Sequence, residues 1–398
     1  MTDIIKEFKK IENELIKDRR YLHKNAEVGF DLPKTTAYIK KTLQAIGCEV
    51  LECGRSGIYT VIGDRNASSC VLLRADTDAL PIIEESVEEF ASSKNMHACG
   101  HDMHTAMLLG AARILKQHEN ELSIPVKLLF QPAEETLSGA KNMIDNGILE
   151  KPNVTAAFML HVTVNSPLST GSLVVSSAGV SAPSADYFEI EISGKGCHGA
   201  MPNMGVDPIT AAAHIITALD TIKTRELSLY DVSALTIGSV VAGTAHNIIP
   251  DKAFIKGTLR AFDEDVRDIM KDAIVRISER TAEALRSLAK VSFPVGCPSL
   301  KNDGALSQKA IEILSREIGD KFVYTSEKVA KISGLDQRSS GSEDFAYYSQ
   351  QVPSVMIGIS AGSNDEGYTI PLHHPKVRLN ENALAYGSAA LVALALNI

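Results

Sequence analysis

Short, continuous apolar runs alternate with segments of helical periodicity along this 398-residue chain. The runs are Cys70–Leu73, Val126–Phe130, Ala156–Leu160 and Val355–Ile359, and the amphipathic segment Thr105–Gln117 is one of the helices between them. Strands that are apolar at every position are buried on both faces, which requires helices on both sides of a mostly parallel sheet. We therefore predict an α/β protein with a doubly covered, mostly parallel sheet.

The region from Pro183 to Val295 has a different pattern, in which the first strand alternates apolar residues with glutamates. The predicted elements are a strand around Phe188–Ile192, a helix over Pro208–Arg225, strands over Ser233–Val241 and Ala253–Ala261, a helix over Asp263–Ala289 and a strand over Lys290–Val295. This order is that of a split βαβ, ferredoxin-like α+β domain. We predict that residues 183–295 are inserted into a larger domain formed by residues 1–182 and 296–398.

The N-terminal region has helical periodicity over Asp3–Leu22 and Pro33–Ile46 and mixes charges into every turn. It lacks the apolar core of an export signal, and no later run reaches the about 18 apolar residues of a membrane span. The net charge of -9 argues against binding to a nucleic-acid backbone. The six cysteines include no CxxC pair, which indicates neither a disulfide framework nor a zinc ribbon. We expect a cytoplasmic protein with neither a nucleic acid nor a membrane as partner.

Polar side chains follow three of the apolar runs at the point where each predicted strand ends. Asp76 and Asp78 follow the first run, Glu134 and Glu135 follow the second, and His161 directly follows the third. The carboxyl ends of parallel strands form the ligand-binding edge of an open α/β sheet, so these side chains are expected to converge. The two aspartates are equally compatible with helix caps or with partners that orient ligands.

The decapeptide MHACGHDMHT, residues 96–105, contains one cysteine and three of the eleven histidines. Cys99 and His101 are two residues apart, so on an extended segment both side chains point to one side and could hold one ion or two neighbouring ions. A thiolate with an imidazole favours zinc or a late divalent metal, and added carboxylates also admit manganese, cobalt or nickel. A cysteine nucleophile with its base and a polar helix start are the alternatives to a metal site.

The adjacent glutamates favour the metal interpretation. In a loop after a buried strand two neighbouring side chains point in different directions, so one can bind an ion while the other faces the attacking water. Metal-assisted hydrolysis needs this division, because an ion lowers the pKa of water and a carboxylate takes its proton.

Seven motifs occur along the chain in a definite order. They are RADTDALPIIEE, MHACGHDMHTAMLLGAA, FQPAEE, HGAMPNMGVDP, HNIIPDKAFIKGTLR, GSEDFAYY and LHHP. This set and order resemble those of the M20 family of metallopeptidases, over about residue 20 to residue 390. The chain most resembles the amidohydrolase branch of that family, which includes hippurate hydrolases, N-acetyldiaminopimelate deacetylases and auxin-conjugate hydrolases.

The resemblance implies a site for two divalent ions on the larger domain, which is then the catalytic domain. Cys99 stands where a family ligand bridges the two ions, and Glu134 stands at the position of the general base. The remaining ligands at matching positions are His101, Glu135, His161 and His373, the first histidine of LHHP.

The resemblance also assigns residues to the substrate. His198, Asn247 and Arg260 of the inserted domain match residues that polarise the substrate carbonyl or hold its carboxylate, and Gly341 and Ser342 match a stretch that lines the substrate pocket. The inserted domain is expected to act as a lid and as the surface of a homodimer.

We therefore predict a metal-dependent amidohydrolase that cleaves the amide bond of N-acyl amino acids. One alternative is an acyl hydrolase that uses Cys99 as nucleophile. The other is a binding protein for amino-acid derivatives that has the same fold and no activity.

Overall fold

The computed structural model describes residues 3–334, 336 and 338–398. The chain divides into two units. The first unit consists of Met1–Ser181, Lys301–Arg338 and Glu343–Ile398, and the second consists of Ala182–Leu300 with Ser339–Ser342. The second unit is therefore inserted in the sequence of the first.

The helices of both units are numbered in chain order. They are α1 (Asp3–Lys10), α2 (Glu12–Lys24), α3 (Pro33–Ala45), α4 (His101–Gln117), α5 (Gly139–Asp145), α6 (Pro208–Leu219), α7 (Glu264–Ala284), α8 (Gly304–Leu314), α9 (Ser326–Ser333), α10 (Ala346–Ser349) and α11 (Ala383–Asn397). Within the described ranges, no helix has both the length and the apolar character that a membrane crossing needs.

The strands are numbered in the same way. They are β1 (Leu51–Cys53), β2 (Gly57–Ile62), β3 (Ser69–Asp76), β4 (Val126–Gln131), β5 (Asn153–Thr163), β6 (Leu173–Val175), β7 (Gly179–Ala182), β8 (Ala185–Ser193), β9 (Cys197–His198), β10 (Ser233–Ala242), β11 (Ile248–Ile249), β12 (Lys252–Ala261), β13 (Leu288–Cys297), β14 (Leu300–Asn302), β15 (Val323–Thr325) and β16 (Ser354–Ser360).

An eight-stranded sheet forms the centre of the first unit, in the order β1-β2-β4-β3-β5-β16-β6-β15. Strands β4, β3, β5 and β16 are parallel neighbours, whereas the pairs β1–β2, β2–β4 and β16–β6 are antiparallel, so the sheet is mixed. Every residue of β4 is buried. Both faces of the sheet centre are therefore covered, which confirms the predicted α/β fold.

Helix α4 begins at the edge of this sheet and packs closely against two other helices. A Cβ atom at Gly110 would lie 2.5 Å from Leu15 Cδ2 of α2, and one at Gly387 of α11 would lie 2.2 Å from Met107 Sδ of α4. Larger residues at these two glycines would push the helices apart. Close packing thus fixes the direction from which α4 meets the sheet.

The second unit contains a four-stranded antiparallel sheet in the order β10-β12-β8-β13. Its core contains Phe188, Ile190 and Ile192 of β8, which alternate with less buried residues and pack with residues of α6 and α7. Asp207 and Asp263 cap these two helices by accepting hydrogen bonds from backbone N–H groups of their first turns. The element order and strand order are those of the predicted ferredoxin-like fold.

Several helix boundaries differ from the sequence prediction, and two of the differences have a clear cause in the backbone conformation. The helix predicted over Asp263–Ala289 ends at Ala284, because Arg286 adopts φ +63° and cannot continue a right-handed helix. The single helix predicted at the N-terminus is interrupted at Ile11, whose φ of -107° and ψ of 14° lie outside helical values.

Candidate metal centre

Cys99 and His101 lie where the chain enters α4. His101 is the first helical residue, and Gly100 between them has φ +88°. A Cβ atom at Gly100 would lie 2.3 Å from Val162 Cγ2, so the turn requires glycine for both its conformation and its space. The two donors thus come together through a tight turn and not along the extended segment considered from their spacing.

The other candidate ligands come from three further parts of the chain. Glu134 and Glu135 follow β4, and His161 lies near the end of β5. His373 lies in the loop before α11 and has φ +64°. Because β4, β3 and β5 are parallel neighbours, their carboxyl ends bring the glutamates and His161 to the same edge of the sheet.

Cys99 belongs to two groups of potential metal ligands at once. In one group its Sγ lies within 4.8 Å of ligand atoms of His101 and His161, and in the other within 4.8 Å of ligand atoms of Glu135 and His373. The Cys99 Sγ to His161 Nε2 distance is 3.5 Å. The other four predicted ligands therefore lie around the thiol of Cys99.

His101, which is buried, and His161, which is half-buried, are oriented in the same way. His101 Nδ1 lies 2.8 Å from the carbonyl oxygen of Asp78, and His161 Nδ1 lies 2.8 Å from that of Val162. Each Nδ1 therefore carries the hydrogen, which leaves the lone pair of Nε2 directed into the cluster.

Two buried polar atoms of the cluster, His101 Nε2 and Glu135 Oε1, have no hydrogen-bond partner among the residues that the structure describes. They lie 3.9 Å apart. Unpaired buried polar atoms are costly, and here both are electron-pair donors. The residues present thus fit a divalent cation.

Asp78 holds the loop that carries the paired glutamates. Its two carboxylate oxygens accept hydrogen bonds from the backbone N–H groups of Glu134 and Glu135, at 2.9 and 3.2 Å. Its carbonyl oxygen is also the acceptor for His101. Of the two roles left open by the sequence, Asp78 therefore has that of a partner that orients ligands.

His104 has a different role from His101. Its Nδ1 lies 2.5 Å from Asp76 Oδ1, while its Nε2 accepts a hydrogen bond from the backbone N–H of Val162 at 2.8 Å. Burial outweighs the charge of Asp76 and lowers the pKa of His104 to about 4. Both nitrogens of this neutral ring are occupied, so His104 braces α4 against β5.

Two buried acidic residues lie next to the proposed ligands, and neither was assigned a role from the sequence. Glu343 and Asp344, in the motif GSEDFAYY, have carboxylate oxygens within 4.8 Å of Glu134. Arg74 offsets their charge, with its Nη2 atom 2.6 Å from Asp344 Oδ1 and 3.1 Å from Glu343 Oε1. Its Nη1 atom also donates to Asp76 Oδ2 at 2.7 Å. The two adjacent acidic residues in that motif were the sequence feature from which their place in the site could have been predicted.

The electrostatics of the cluster reflect burial and crowded charge. The pKa of Glu134 is raised well above its usual range, mainly by burial and then by the negative charges of Glu343 and Asp344. Burial and the Cys99 thiolate raise the pKa of Glu135 to about 8. Burial alone would raise the pKa of Cys99, but the neighbouring His161 and His101 lower it well below its usual value. Such an excess of negative charge is what a divalent cation compensates.

The remaining predicted site residues lie in the second unit. His198 pairs with Ile248 where β9 meets β11, and the N–H of the next residue donates to the carbonyl oxygen of Asn247 at 2.7 Å. Arg260 Nη1 donates to Ser342 Oγ at 2.6 Å. Gly341 precedes this serine, and its N–H is bonded to Ser339 Oγ. The structure thus places His198 beside Asn247, and Arg260 beside Ser342.

The α/β sheet thus has thiol, imidazole and carboxylate donors at its edge, which is the arrangement of a metal centre in an α/β protein. The sequence matches Peptidase family M20/M25/M40 over residues 72–397, and the chain belongs to this family. The branch predicted from the motifs is confirmed by the relatives described next.

The chain is 36% identical over 382 residues to N-acetyl-L-cysteine deacetylase of Bacillus subtilis, covering 95% of this chain and 86% of the relative. It is 33% identical over 397 residues to hippurate hydrolase of Campylobacter jejuni, covering 99% of each. The crystal structure of the YXEP protein of Bacillus subtilis, described as a dinuclear metal-binding peptidase from the M20 family, matches with a TM-score of 0.78 at 33% identity over 98% of both chains. The chain is a metal-dependent amidohydrolase, and its donor set supports divalent ions.

Proposed function

We propose that this enzyme hydrolyses the amide bond of N-acyl amino acids, releasing a carboxylate and a free amino acid. The observation that carries the proposal is the position of Cys99 Sγ in two ligand groups at once. A thiolate shared by two groups of donors suits two neighbouring ions. The relatives named as an N-acetyl-L-cysteine deacetylase and a hippurate hydrolase support the substrate class.

We assign the ligand role to the residues that surround this thiol. The ions are zinc, manganese, cobalt or nickel, which this mixture of sulfur, nitrogen and oxygen donors accepts. When bound, they lower the pKa of water to about 7 and polarise the scissile carbonyl. The ligands are Cys99, His101, Glu135, His161 and His373.

Glu134 serves as the general base of the reaction. It takes a proton from the attacking water and later delivers that proton to the leaving nitrogen. Its burial beside Glu343 and Asp344 suits this task, because a carboxylate with a raised pKa binds a proton readily and releases it to a more basic amine.

The second unit contributes the groups that contact the substrate. His198 donates to the oxyanion that forms on the acyl carbonyl, while Asn247 and Arg260 hold the carboxylate of the amino acid. Gly341 and Ser342 line the pocket. The hydrogen bond from Arg260 to Ser342 supports the assignment of both residues to the same part of that pocket.

Chelation with metal replacement tests the proposal. Metal-free protein should lose hydrolysis of acetyl, benzoyl and longer-chain acyl amino acids, and manganese, zinc, cobalt or nickel should restore it. Full activity without metal would refute the mechanism. Tight binding of these compounds without turnover would instead identify a binding protein.

The Cys99–His161 contact favours a second candidate, a cysteine-nucleophile acyl hydrolase. The Sγ and Nε2 atoms lie 3.5 Å apart, which is compatible with a thiolate–imidazole pair. In that mechanism an acyl group becomes attached to Cys99 and activity survives chelation. Mass spectrometry of protein quenched during turnover separates the two candidates.

We further propose that the enzyme is a cytoplasmic homodimer that associates through its second unit. The outer strand β10 exposes Val240 and Val241, at 49% and 60%. Apolar residues on a free sheet edge favour pairing with another chain. All six cysteines are free thiols, in keeping with a reducing compartment. Light scattering of Val241→Lys should give a monomer where the wild type gives a dimer.

A further inference from the structure

A second buried cluster of charged side chains lies beside the metal centre and has no part in the mechanism above. It consists of Arg19 and His23 of α2, Asp102 of α4 and Glu84 of the loop that follows β3. Arg19, His23 and Asp102 are only 2%, 3% and 0% exposed. Burying such groups is costly unless they are paired, so their contacts indicate what the cluster does.

His23 lies between two carboxylates. Its Nδ1 is 2.8 Å from Asp102 Oδ2, and its Nε2 is 3.1 Å from Glu84 Oε1. Ionised carboxylates only accept hydrogen bonds, so both ring nitrogens carry a hydrogen and the ring is charged. Burial alone would lower the pKa of His23, but the charges and hydrogen bonds of Asp102 and Glu84 raise it to about 9.

The Asp102 end of this contact leads to one part of the metal centre. Asp102 directly follows the proposed ligand His101 in the first turn of α4. Asp102 is also held by Arg19, whose Nε donates to the same oxygen at 2.9 Å. The first turn of α4 is thereby tied to α2.

The Glu84 end leads to another part of the metal centre. The N–H of the next residue, Glu85, donates to the carbonyl oxygen of Pro375 at 2.8 Å, two residues after the proposed ligand His373. Glu84 Oε2 also accepts a hydrogen bond from the N–H of Ser92 at 2.7 Å, which closes its loop. His23 therefore links the segment that carries His101 to the segment that carries His373.

We propose that His23 is a positioning residue that holds these two ligand-bearing segments at the separation that the metal ions require, although it contacts neither ion. The inference rests on the ligand set of the proposed function. It predicts that the bridge formed by Asp102, His23 and Glu84 strengthens metal binding.

The test measures binding of Mn²⁺ and Zn²⁺ to the full chain by competition with a chelator. His23→Ala should weaken metal binding by about 10-fold or more, the usual range for partners of metal ligands. Glu84→Ala should act in the same direction. The double variant should bind metal no more weakly than His23→Ala does, because both changes break the same bridge.

Two control variants separate positioning from stability. Leu15→Ala removes a buried side chain of α2, and His118→Ala removes a histidine that lies between Glu7 and Glu121 at the opposite end of α4. Both should leave the metal dissociation constants within about 2-fold, whatever they do to the melting temperature. If His23→Ala does not fold, Glu84→Ala carries the same comparison from an adjacent loop.

Unchanged metal affinity in the His23 and Glu84 variants, or an equal loss in Leu15→Ala, would overturn the inference. The readout is metal binding rather than turnover. A wild-type protein that binds metal but does not cleave N-acyl amino acids would refute the proposed function and leave this inference standing.

Discussion

The two adjacent glutamates after β4 have different surroundings although they are neighbours in sequence. Glu134 lies close to Glu343 and Asp344, whereas Glu135 lies close to Cys99 and His373. The environment of Glu134 suits a group that exchanges a proton, and that of Glu135 suits a ligand. Single substitutions are expected to separate the two roles.

Glu134→Gln should retain metal and lower kcat by about 10²-fold or more, because the amide keeps the size of the side chain but cannot take a proton. Glu135→Ala should lose metal. Metal analysis and steady-state kinetics on both variants check this. If Glu134→Gln lost metal and Glu135→Ala lost only kcat, the roles of base and ligand would be reversed. If both variants kept full activity and full metal content, the proposed site would be refuted.

The histidine doublet before α11 offers a second comparison. His373 Nε2 lies 3.8 Å from Glu135 Oε1, while His374 Nδ1 accepts a hydrogen bond from the backbone N–H of Lys376 at 3.1 Å. His373→Ala should reduce the number of ions bound, and His374→Ala should leave it unchanged. Metal stoichiometry by mass spectrometry decides, and a loss confined to His374→Ala would shift the ligand by one position.

His23 should make stability depend on pH. Its pKa is about 9 in the folded protein and about 6.5 when unfolded, so its stabilising effect is complete below about pH 6.5 and is lost as the pH rises through 9. Urea unfolding of wild type and His23→Gln should therefore show a stability difference that shrinks by about 3 kcal/mol between pH 6.5 and 9.5. A constant difference would mean that His23 is not charged at neutral pH.

Among the elements, the strands of the sheet centre were the most predictable from sequence. Strands β3, β4, β5 and β16 contain the four apolar runs, because burial on both faces leaves little room for polar residues. Helix ends were less predictable. The turn at Arg286 depends on a left-handed backbone conformation that arginine rarely adopts and that the neighbouring residues do not indicate.

The candidate site was predictable to a similar degree. Its candidate donors follow apolar runs or belong to the motifs that carry the family resemblance, so the sequence indicates them as candidates. Asp78 was one of two possible orienting partners, but the contact between Arg74 and Glu343 was not predicted, because these residues are far apart in the chain and their contact depends on tertiary packing. His23 lies on a helix with no other sign of a role in a metal site.

The turn into α4 provides a test at this scale. Gly100→Ala adds a Cβ atom to a left-handed residue, and that atom would lie 2.3 Å from Val162 Cγ2. The change should therefore destabilise the protein by about 2 kcal/mol or more and weaken metal binding. Gly334→Ala is the matched control, since Gly334 is also left-handed (φ +72°) but has open space around it. It should cost about 1 kcal/mol and leave the metal affinity unchanged. Equal metal affinity in both variants would contradict a role for the turn.

For the whole molecule, catalysis is expected to require the second unit through His198. His198→Ala should keep metal and fold while kcat falls by about 10²- to 10³-fold, the effect of losing one donor to an oxyanion. His246→Ala, an exposed histidine of the same unit, is the control and should retain activity. Full activity of His198→Ala would remove the second unit from the mechanism.

If the enzyme forms the proposed dimer, mixing subunits locates this histidine within it. If His198 acts on the site of the partner, mixed dimers of His198→Ala and Glu134→Gln contain one intact site and regain part of the activity. If mixed dimers are confirmed and remain inactive, His198 acts within its own chain.

The candidate ligands come from four parts of the chain that only the folded protein brings together. An unfolded chain holds no such set, so the ions bind almost solely to the native state and shift the folding equilibrium toward it as their concentration rises. Cellular metal supply would then set the lifetime of the protein as well as its turnover. In metal-starved cells, more chains would open, and proteases would remove them.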